Sequence, residues 1–369
     1  MRLTLLLLPL IFSVLSLGCS DDASATNPND PSNLSLDILT YEDGSGIVVV
    51  SVDADNVTEF HYYMDDGSDV PHITTEGTYE YTYTNFGSYN VEVRAYGPSG
   101  RYIKKQQRIT VIAAPTVDLD SGYSTPLSYD NMELVWNDEF TGSSLNTEFW
   151  SYDIGTGCPN LCGWGNNELE YYRTENLSVE EGVCKIEARK EDFDGSAYTS
   201  SKIVTRNKVS MHFGRIDIRA TLPEGQGIWP ALWMLGVNQP VVGWPKCGEI
   251  DIMEMVGGNG RENRITGNAF WDNNGINDQP KGYALENGIF ADEFHVFSLI
   301  WTEEELRWYV DDVMFHSLDI TIPSRSEFLE PFYIIFNVAV GGNFPGNPDA
   351  TTSFPTKMVV DYVRVFKEI

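Results

Sequence analysis

Residues 244–257 read Trp-Pro-Lys-Cys-Gly-Glu-Ile-Asp-Ile-Met-Glu-Met-Val-Gly. Three carboxylates, Glu249, Asp251 and Glu254, stand in a run otherwise made of Ile, Met and Val, the composition of a buried β-strand. Unpaired ionised carboxylates in such a setting cost several kcal/mol each, so acids there are expected to face a cleft and do chemistry. Side chains alternate across a strand, which puts Glu249 and Asp251 on one face and, in a regular strand, Glu254 on the other. One extra residue, a β-bulge, turns Glu254 back to the shared face, and bulges are over-represented beside active sites. The two glutamates then stand roughly 13 Å apart between Cα atoms, at about 3.3 Å per residue. Inward-leaning side chains bring their carboxyl groups to about 5 Å, the separation of a retaining glycosidase. A solvated edge strand with alternating acids is the competing reading. It requires one polar face, which Ile250, Ile252, Met253, Met255 and Val256 do not leave.

The elements that must hold these acids are β in character. Between 132 and 369, strand-like runs fall at 184–188, 215–220, 249–255, 265–271, 296–301, 306–310, 333–340 and 358–366, and helix-period patterns are scarce. Many antiparallel strands in about 240 residues imply an all-β jelly-roll sandwich. Upstream, residues 34–113 read as a separate module: short β-rich runs at 46–52, 59–64, 79–84, 89–94 and 103–111, divided by Asn, Asp and Gly turns, suggest an immunoglobulin-like β-sandwich. Its tyrosines are expected in the core or at turns rather than as a sugar platform. A Pro/Ser/Asp-rich stretch, 114–131, reads as the linker to the catalytic part.

The acidic segment resembles glycoside hydrolase family 16, specifically its laminarinase-like endo-β-1,3-glucanases, through Glu-x-Asp-x-x-Glu preceded by Trp-Pro-x-x-Gly at Trp244 to Glu254. The likeness extends over about residues 131–369. It includes Trp136-Asn-Asp-Glu-Phe140, Gly163-Trp-Gly-Asn-Asn-Glu-Leu-Glu-Tyr-Tyr172, Gly227-Ile-Trp-Pro-Ala-Leu-Trp-Met-Leu235, Asn337-Val-Ala-Val-Gly-Gly-Asn-Phe-Pro-Gly346 and Val360-Asp-Tyr-Val-Arg-Val-Phe366. The resemblance implies a concanavalin-like jelly roll whose concave face grips an extended sugar chain. It makes Glu249 the nucleophile and Glu254 the acid/base, with Asp251 between them, and it implies cleavage of a neutral β-glucan with retention. Trp229 and Trp233, four apart on an expected strand, share a face and match tryptophans that line the subsites. Asn166, Asn167, Arg215 and Arg219 are family-like partners for sugar hydroxyls. A structural calcium, held by Glu139, the Gly182 carbonyl and Asp361, is implied as the cofactor; hard oxygen ligands suit that ion.

Two departures from the family pattern stand out. Where laminarinases often carry His-Gly-x-x-His-Trp, this chain reads Thr266-Gly-Asn-Ala-Phe-Trp271, and Phe344 stands where Trp is common. The alternatives are a mixed-linkage glucan or a galactan as substrate, or a non-catalytic carbohydrate-binding protein. The intact acids argue against the last. In the upstream module, Tyr81-Thr-Tyr-Thr-Asn-Phe-Gly-Ser-Tyr-Asn-Val-Glu-Val-Arg-Ala95, with Asp65-Asp-Gly67, resembles polycystic-kidney-disease-type domains.

A formal charge of −30 argues against nucleic acid and an anionic membrane as partners, through repulsion. No Lys/Arg cluster flanks the acids, so a neutral glucan fits better than a sulfated one, and a monomer is expected. Residues 1–18 begin with Arg2, continue as an apolar run and end at Gly18-Cys19, the form of an export signal. The ending resembles a bacterial lipoprotein signal, with Cys19 as the lipidated first residue of an outer-membrane or cell-surface protein and the membrane reached only through that anchor. Ordinary cleavage and secretion is the alternative. Residues 19–33 then read as a flexible tether. An oxidising compartment permits disulfides. Cys158 and Cys162 bracket a short loop and are expected to pair, whereas Cys184 and Cys247, on expected strands, are expected to stay reduced. No second Cys or His pair stands near 158–162 to make a zinc site.

Overall fold

The computed structural model describes residues 29–41, 46–111 and 118–369; Cys19 and the signal segment lie outside the described residues. The chain divides into two compact units. One carries Val49–Tyr81 and Ser88–Ile109 with the strand residues up to Leu39; the other runs Thr110–Ile369 and takes in Thr40–Val48 and Thr82–Gly87. In the amino-terminal part, strands Ser32–Thr40, Ile47–Asp55 and Thr78–Thr82 form one sheet. A second sheet is ordered His72–Thr74, Glu59–Tyr63, Gly87–Tyr96, Tyr102–Val111. Strand alternation puts Phe60, Tyr62, Val91, Val93 and Ile109 in the interior. Tyr62 is therefore a core residue, as expected, while Tyr63, Tyr79, Tyr81 and Tyr96 remain half-buried.

The larger unit is a sandwich of two sheets. The acid-bearing sheet is ordered Ile276–Asp278, Arg264–Asp272, Glu249–Glu254, Ile228–Gly236, Phe332–Val340, Lys202–Val204, Ser151–Tyr152. The second is ordered Leu177–Glu180, Val183–Ala188, Thr356–Glu368, Gly214–Thr221, His295–Trp301, Glu305–Val310, Val313–Asp319, with Met132–Asp138 paired to Thr356–Glu368. One apolar cluster joins Leu232, Met234, Ile250, Ile252, Ile334 and Phe336 of the first sheet to Ile216, Ile218, Phe297, Leu299 and Val363 of the second. Each such residue contributes roughly 1.5–3 kcal/mol on full burial. The inward faces are thereby spent on the core, and each sheet has only its outward face for other work. The expected pair is present as a Cys158–Cys162 disulfide, and Cys184 and Cys247 are free and buried.

The described part of the expected linker is not a free connector. Residues 118–131 strap the outward face of the second sheet. Arg219, 4% exposed, gathers alternate carbonyls of the strap: Nε donates to Tyr123 O at 2.7 Å, Nη1 to Leu119 O at 2.9 Å and Nη2 to Ser121 O at 2.5 Å. Arg364 Nη1 donates to Thr125 O at 2.7 Å, and the Tyr362 hydroxyl accepts the Thr125 N–H at 2.7 Å. Tyr129 lies under the Arg215 guanidinium, 4.3 Å from its ring centroid, and donates its hydroxyl to Asp217 at 2.7 Å.

Arg215 and Arg219 were expected to meet sugar hydroxyls. They lie on Gly214–Thr221 in the second sheet, face away from the acids, and are occupied there by Asp217, Asp312, Asp361 and the strap. Alternation correctly puts the two on one face, but the face belongs to the other sheet. Replacing Arg219 by Ala strands three carbonyls and a carboxylate, so Arg219→Ala is expected to cost about 3 kcal/mol. Thermal unfolding reads this as a lower Tm, with kcat/KM of the folded fraction kept; a variant with unchanged Tm and a raised KM would restore the sugar-binding role.

Candidate active site

The acid strand carries the expected bulge, visible from both neighbours. Opposite Asp251 and Glu254 stand Asn268 and Thr266 on one side, and Trp233 and Ala231 on the other. Three steps along the acid strand thus match two steps on each flank, and the surplus residue lies in Ile252-Met253, both buried. Without it Glu254 would point into the apolar core, where an ionised carboxylate costs several kcal/mol.

Directly opposed residues share a face in antiparallel pairs, so the register lays out the site as rows across the sheet. One row is Thr266, Glu254, Ala231, Asn337, Lys202; the next is Asn268, Asp251, Trp233, Ile335, Val204; the third is Phe270, Glu249, Leu235, Tyr333. Trp229, two residues before Ala231, joins the same face and donates its indole N–H to Glu254 Oε1 at 3.0 Å. Trp233 donates to Asn337 Oδ1 at 2.7 Å. Thr266 and Phe270, the positions where the family's histidines are missing, stand beside Glu254 and Glu249 respectively. The floor is fixed from behind: Trp308, from the second sheet, donates to the Asp251 carbonyl at 2.8 Å. Gly267 permits that approach, since a Cβ there would come within 2.8 Å of the Trp308 ring.

All three acids titrate high. Burial, and then the Glu254 charge, pushes Glu249 up, while Trp244 and the Lys202 ammonium pull it back. Burial raises Glu254 against the Trp229 hydrogen bond. Asp251, 2% exposed, is raised well above its ordinary value by burial and by the Glu254 and Glu249 charges. Its Oδ2 has no hydrogen-bond partner among the described residues, so the neutral, proton-carrying form is the one this position favours. Closely placed carboxyls do not all ionise together. The site therefore retains protons near neutral pH and gives them up in steps that belong to the set, the proton store that acid/base chemistry at a polymer bond requires.

Of the sequence-derived candidates, Glu249, Asp251, Glu254, Trp229 and Trp233 are brought together. Asn166 and Asn167 act within loops. Asn166 Nδ2 donates to Glu168 at 3.2 Å and its carbonyl accepts from Asn343 N at 2.8 Å, while Asn167 Nδ2 donates to Asn343 Oδ1 at 2.9 Å. They tie the loop at 163–168 to the one carrying Phe344, whose ring meets Trp229 edge-on at 5.3 Å.

Two members of the expected calcium set, Glu139 and Asp361, are ion-paired with arginines. Glu139 is held by Arg364 through both oxygens, at 2.8 and 2.7 Å, and Asp361 by Arg219 at 2.6 Å. Among the described residues no group of three or more His, Cys, Asp and Glu is placed to hold a metal. These carboxylates already have their cations.

Sequence reasoning missed Lys202, Glu168, Glu170, Tyr172, Asn337 and Trp164. Lys202 is buried, with Nζ 4.3 Å from the Trp164 ring centroid and 5.0 Å from that of Trp233. Burial lowers its pKa, opposed by Glu168, Asp153, Glu170 and Glu249. The criterion that found the acids, a charge inside an apolar strand, applies equally to Lys202 before Ile203-Val204 and to Glu170 before Tyr171-Tyr172.

The model of the family described as Glycosyl hydrolases family 16 matches residues 164–364. A beta-glucanase of Rhodothermus marinus is 43% identical over 252 residues, covering 64% of this chain and 85% of that protein. Glucan endo-1,3-beta-glucosidase A1 of Niallia circulans is 37% identical over 279 residues, 68% of this chain but 40% of that longer protein. Among solved structures, the laminarinase catalytic domain from Thermotoga maritima matches with a TM-score of 0.60 at 43% identity, covering 65% of this chain and 99% of that one. A sandwich with three acids turned to one face by a bulge, within a match that spans more than half its length, places the chain in glycosyl hydrolases family 16 as a glycoside hydrolase.

Proposed function

We propose that the protein is an endo-acting hydrolase of β-1,3-glucan that works with retention of anomeric configuration. The observation that carries this is the bulge-aligned row of Glu249, Asp251 and Glu254, with two indoles on the same face. The relatives named above, a beta-glucanase, a glucan endo-1,3-beta-glucosidase and a laminarinase, support the substrate. Glu249 is assigned as the nucleophile from its place in the motif; burial and the Glu254 charge carry its pKa to about 8, above that of Glu254 at about 7, and Trp244 and Lys202 offset only part of that rise. The Glu249 carboxylate attacks the anomeric carbon while the bond to the leaving oxygen breaks, and that oxygen takes the proton of Glu254. Water then attacks the same carbon, gives a proton to Glu254 and releases Glu249. Asp251, kept protonated, adds no charge of its own between the two glutamates. Trp229 and Trp233 offer ring faces to the apolar faces of glucose units.

Glu249→Gln and Glu254→Gln should each lower kcat on laminarin by about 10³-fold or more, with oligosaccharide binding kept. Proton NMR of the fresh product should show the β-anomer first. An α-anomer, or a substantially active glutamine variant, would overturn the assignment; parallel assays on lichenan, curdlan and agarose decide the linkage.

Activity needs Glu249 ionised and Glu254 protonated, so it is lost as pH falls through the first pKa and as pH rises through the second. Burial raises both. The bell therefore sits above the roughly 4–5 of ordinary carboxyls. The Trp229 N–H holds the Glu254 pKa down, so Trp229→Phe should move the alkaline limb of the kcat profile to higher pH. A limb that stays or moves down would break the link between Glu254 and that limb.

A further inference from the structure

One buried acid of the larger unit has no part in the steps above. Glu170 is fully buried on strand Glu170–Tyr172, and its Oε2 accepts the Val340 N–H at 2.6 Å. No donor among the described residues reaches Oε1. Its polar neighbour is the carboxyl of Glu168, and burial, followed by the charge of Glu168, pushes the Glu170 pKa far above the ordinary carboxyl range. As carboxylates, Glu168 and Glu170, two residues apart, offer each other no donor; a proton held on Glu170 gives the unpartnered Oε1 a donor of its own toward Glu168 and removes the orphan. Glu168 meanwhile accepts from Asn166 Nδ2 at 3.2 Å and from the Tyr172 hydroxyl at 3.1 Å.

From that pair a hydrogen-bond chain leads to the sugar-facing side of the sheet. The Tyr172 hydroxyl, donating to Glu168, accepts from Asn337 Nδ2 at 3.1 Å. Asn337 Oδ1 in turn accepts from the Trp233 indole at 2.7 Å. Every donor points the same way, from the indole toward the carboxyl pair, so each bond polarises the next. Tyr172 can serve only as a hydroxyl, since burial and then the Glu168 and Glu170 charges raise its pKa well above the ordinary value. The Lys202 ammonium lies 5.9 Å from the Tyr172 ring centroid and 5.0 Å from that of Trp233, a positive charge alongside the chain that the Glu168 and Glu170 charges favour. A single N–H anchor fixes the rotation of an indole about its side-chain bonds, and a stacking ring acts only when its face is held parallel to the sugar.

We propose that Glu168 and Glu170 form a proton-sharing carboxyl pair which, through Tyr172 and Asn337, sets the orientation of Trp233 for glucan binding. These four are positioning residues, distinct from the acids that touch the bond. The inference rests on the glucan-cleaving function proposed above.

The test compares Tyr172→Phe, Glu170→Gln and Glu170→Ala in the full chain. Tyr172→Phe keeps the ring and cuts the chain. It is expected to raise KM for laminarin about tenfold with kcat within about twofold, roughly the loss of one hydrogen bond to a charged group. The quenching of tryptophan fluorescence by laminari-oligosaccharides should weaken by the same factor. Glu170→Gln retains a donor toward Glu168 and an acceptor for Val340, so its KM should stay within twofold of the unmodified enzyme, whereas Glu170→Ala should follow Tyr172→Phe. An unchanged KM in Tyr172→Phe, or a glutamine variant as impaired as the alanine, would overturn the proposal. If the unmodified protein fails to cleave laminarin, the function falls first; if it cleaves and the variants match it, only the positioning role falls.

Discussion

One surplus residue in the strand Glu249–Glu254 governs the molecule's chemistry. A strand gives alternate residues to opposite faces, and a sandwich reserves the inner face for apolar side chains. Glu249 and Asp251 obey that rule, but Glu254 satisfies it only because Ile252 and Met253 occupy two positions against one on each flank. The shift is shared by both neighbouring strands, so it is locked by two ladders rather than one. Everything else about the site follows in register: Trp233 falls beside Asp251, Thr266 beside Glu254, Phe270 beside Glu249.

Crowding three carboxyls on such a surface raises their pKa values, and the surrounding groups decide which of them ionises. Lys202 and the Trp244 and Trp229 indoles act on particular acids rather than on the set. Both glutamates are thereby drawn back toward ionisation, while Asp251, raised by burial and by both of their charges, has no such group beside it. In a chain of net charge −30, a buried ammonium near the acids is worth more than any surface lysine, because solvent and salt do little to screen it.

How much of this is legible in the sequence depends on how local the cause is. The acids and their bulge are legible because the conflict is local: charge at positions that a strand pattern assigns to the core. The same conflict marks Lys202 and Glu170. Arg215 and Arg219 were misplaced because alternation fixes a shared face but says nothing of which sheet owns it, and that depends on pairing with Thr356–Glu368 and His295–Trp301. The linker was misjudged for a related reason. Pro, Ser and Asp describe a segment that makes no ladder of its own, and its carbonyls are instead claimed by arginines about a hundred and more residues downstream. Glu139 and Asp361 sit where the family resemblance leads, but their partners, Arg364 and Arg219, are visible only after folding.

The two outward faces of the sandwich show why a glycosidase tolerates such different fates for its charges. On the second sheet Arg215, Arg219 and Arg364 each find a carboxylate, and Arg219 and Arg364 strap carbonyls as well, so these charges are satisfied by the chain itself. On the acid-bearing sheet the donors are committed inward, indole to carboxyl and amide to hydroxyl, while one carboxyl oxygen of Asp251 has no partner among the described residues. Unmet polar capacity beside ring surface is what a polysaccharide completes, because each sugar unit offers hydroxyls at its rim and C–H groups on its faces. Thr266 and Phe270 sharpen the point. With Thr and Phe in place of imidazoles beside the two glutamates, those positions add no group that titrates near neutral pH.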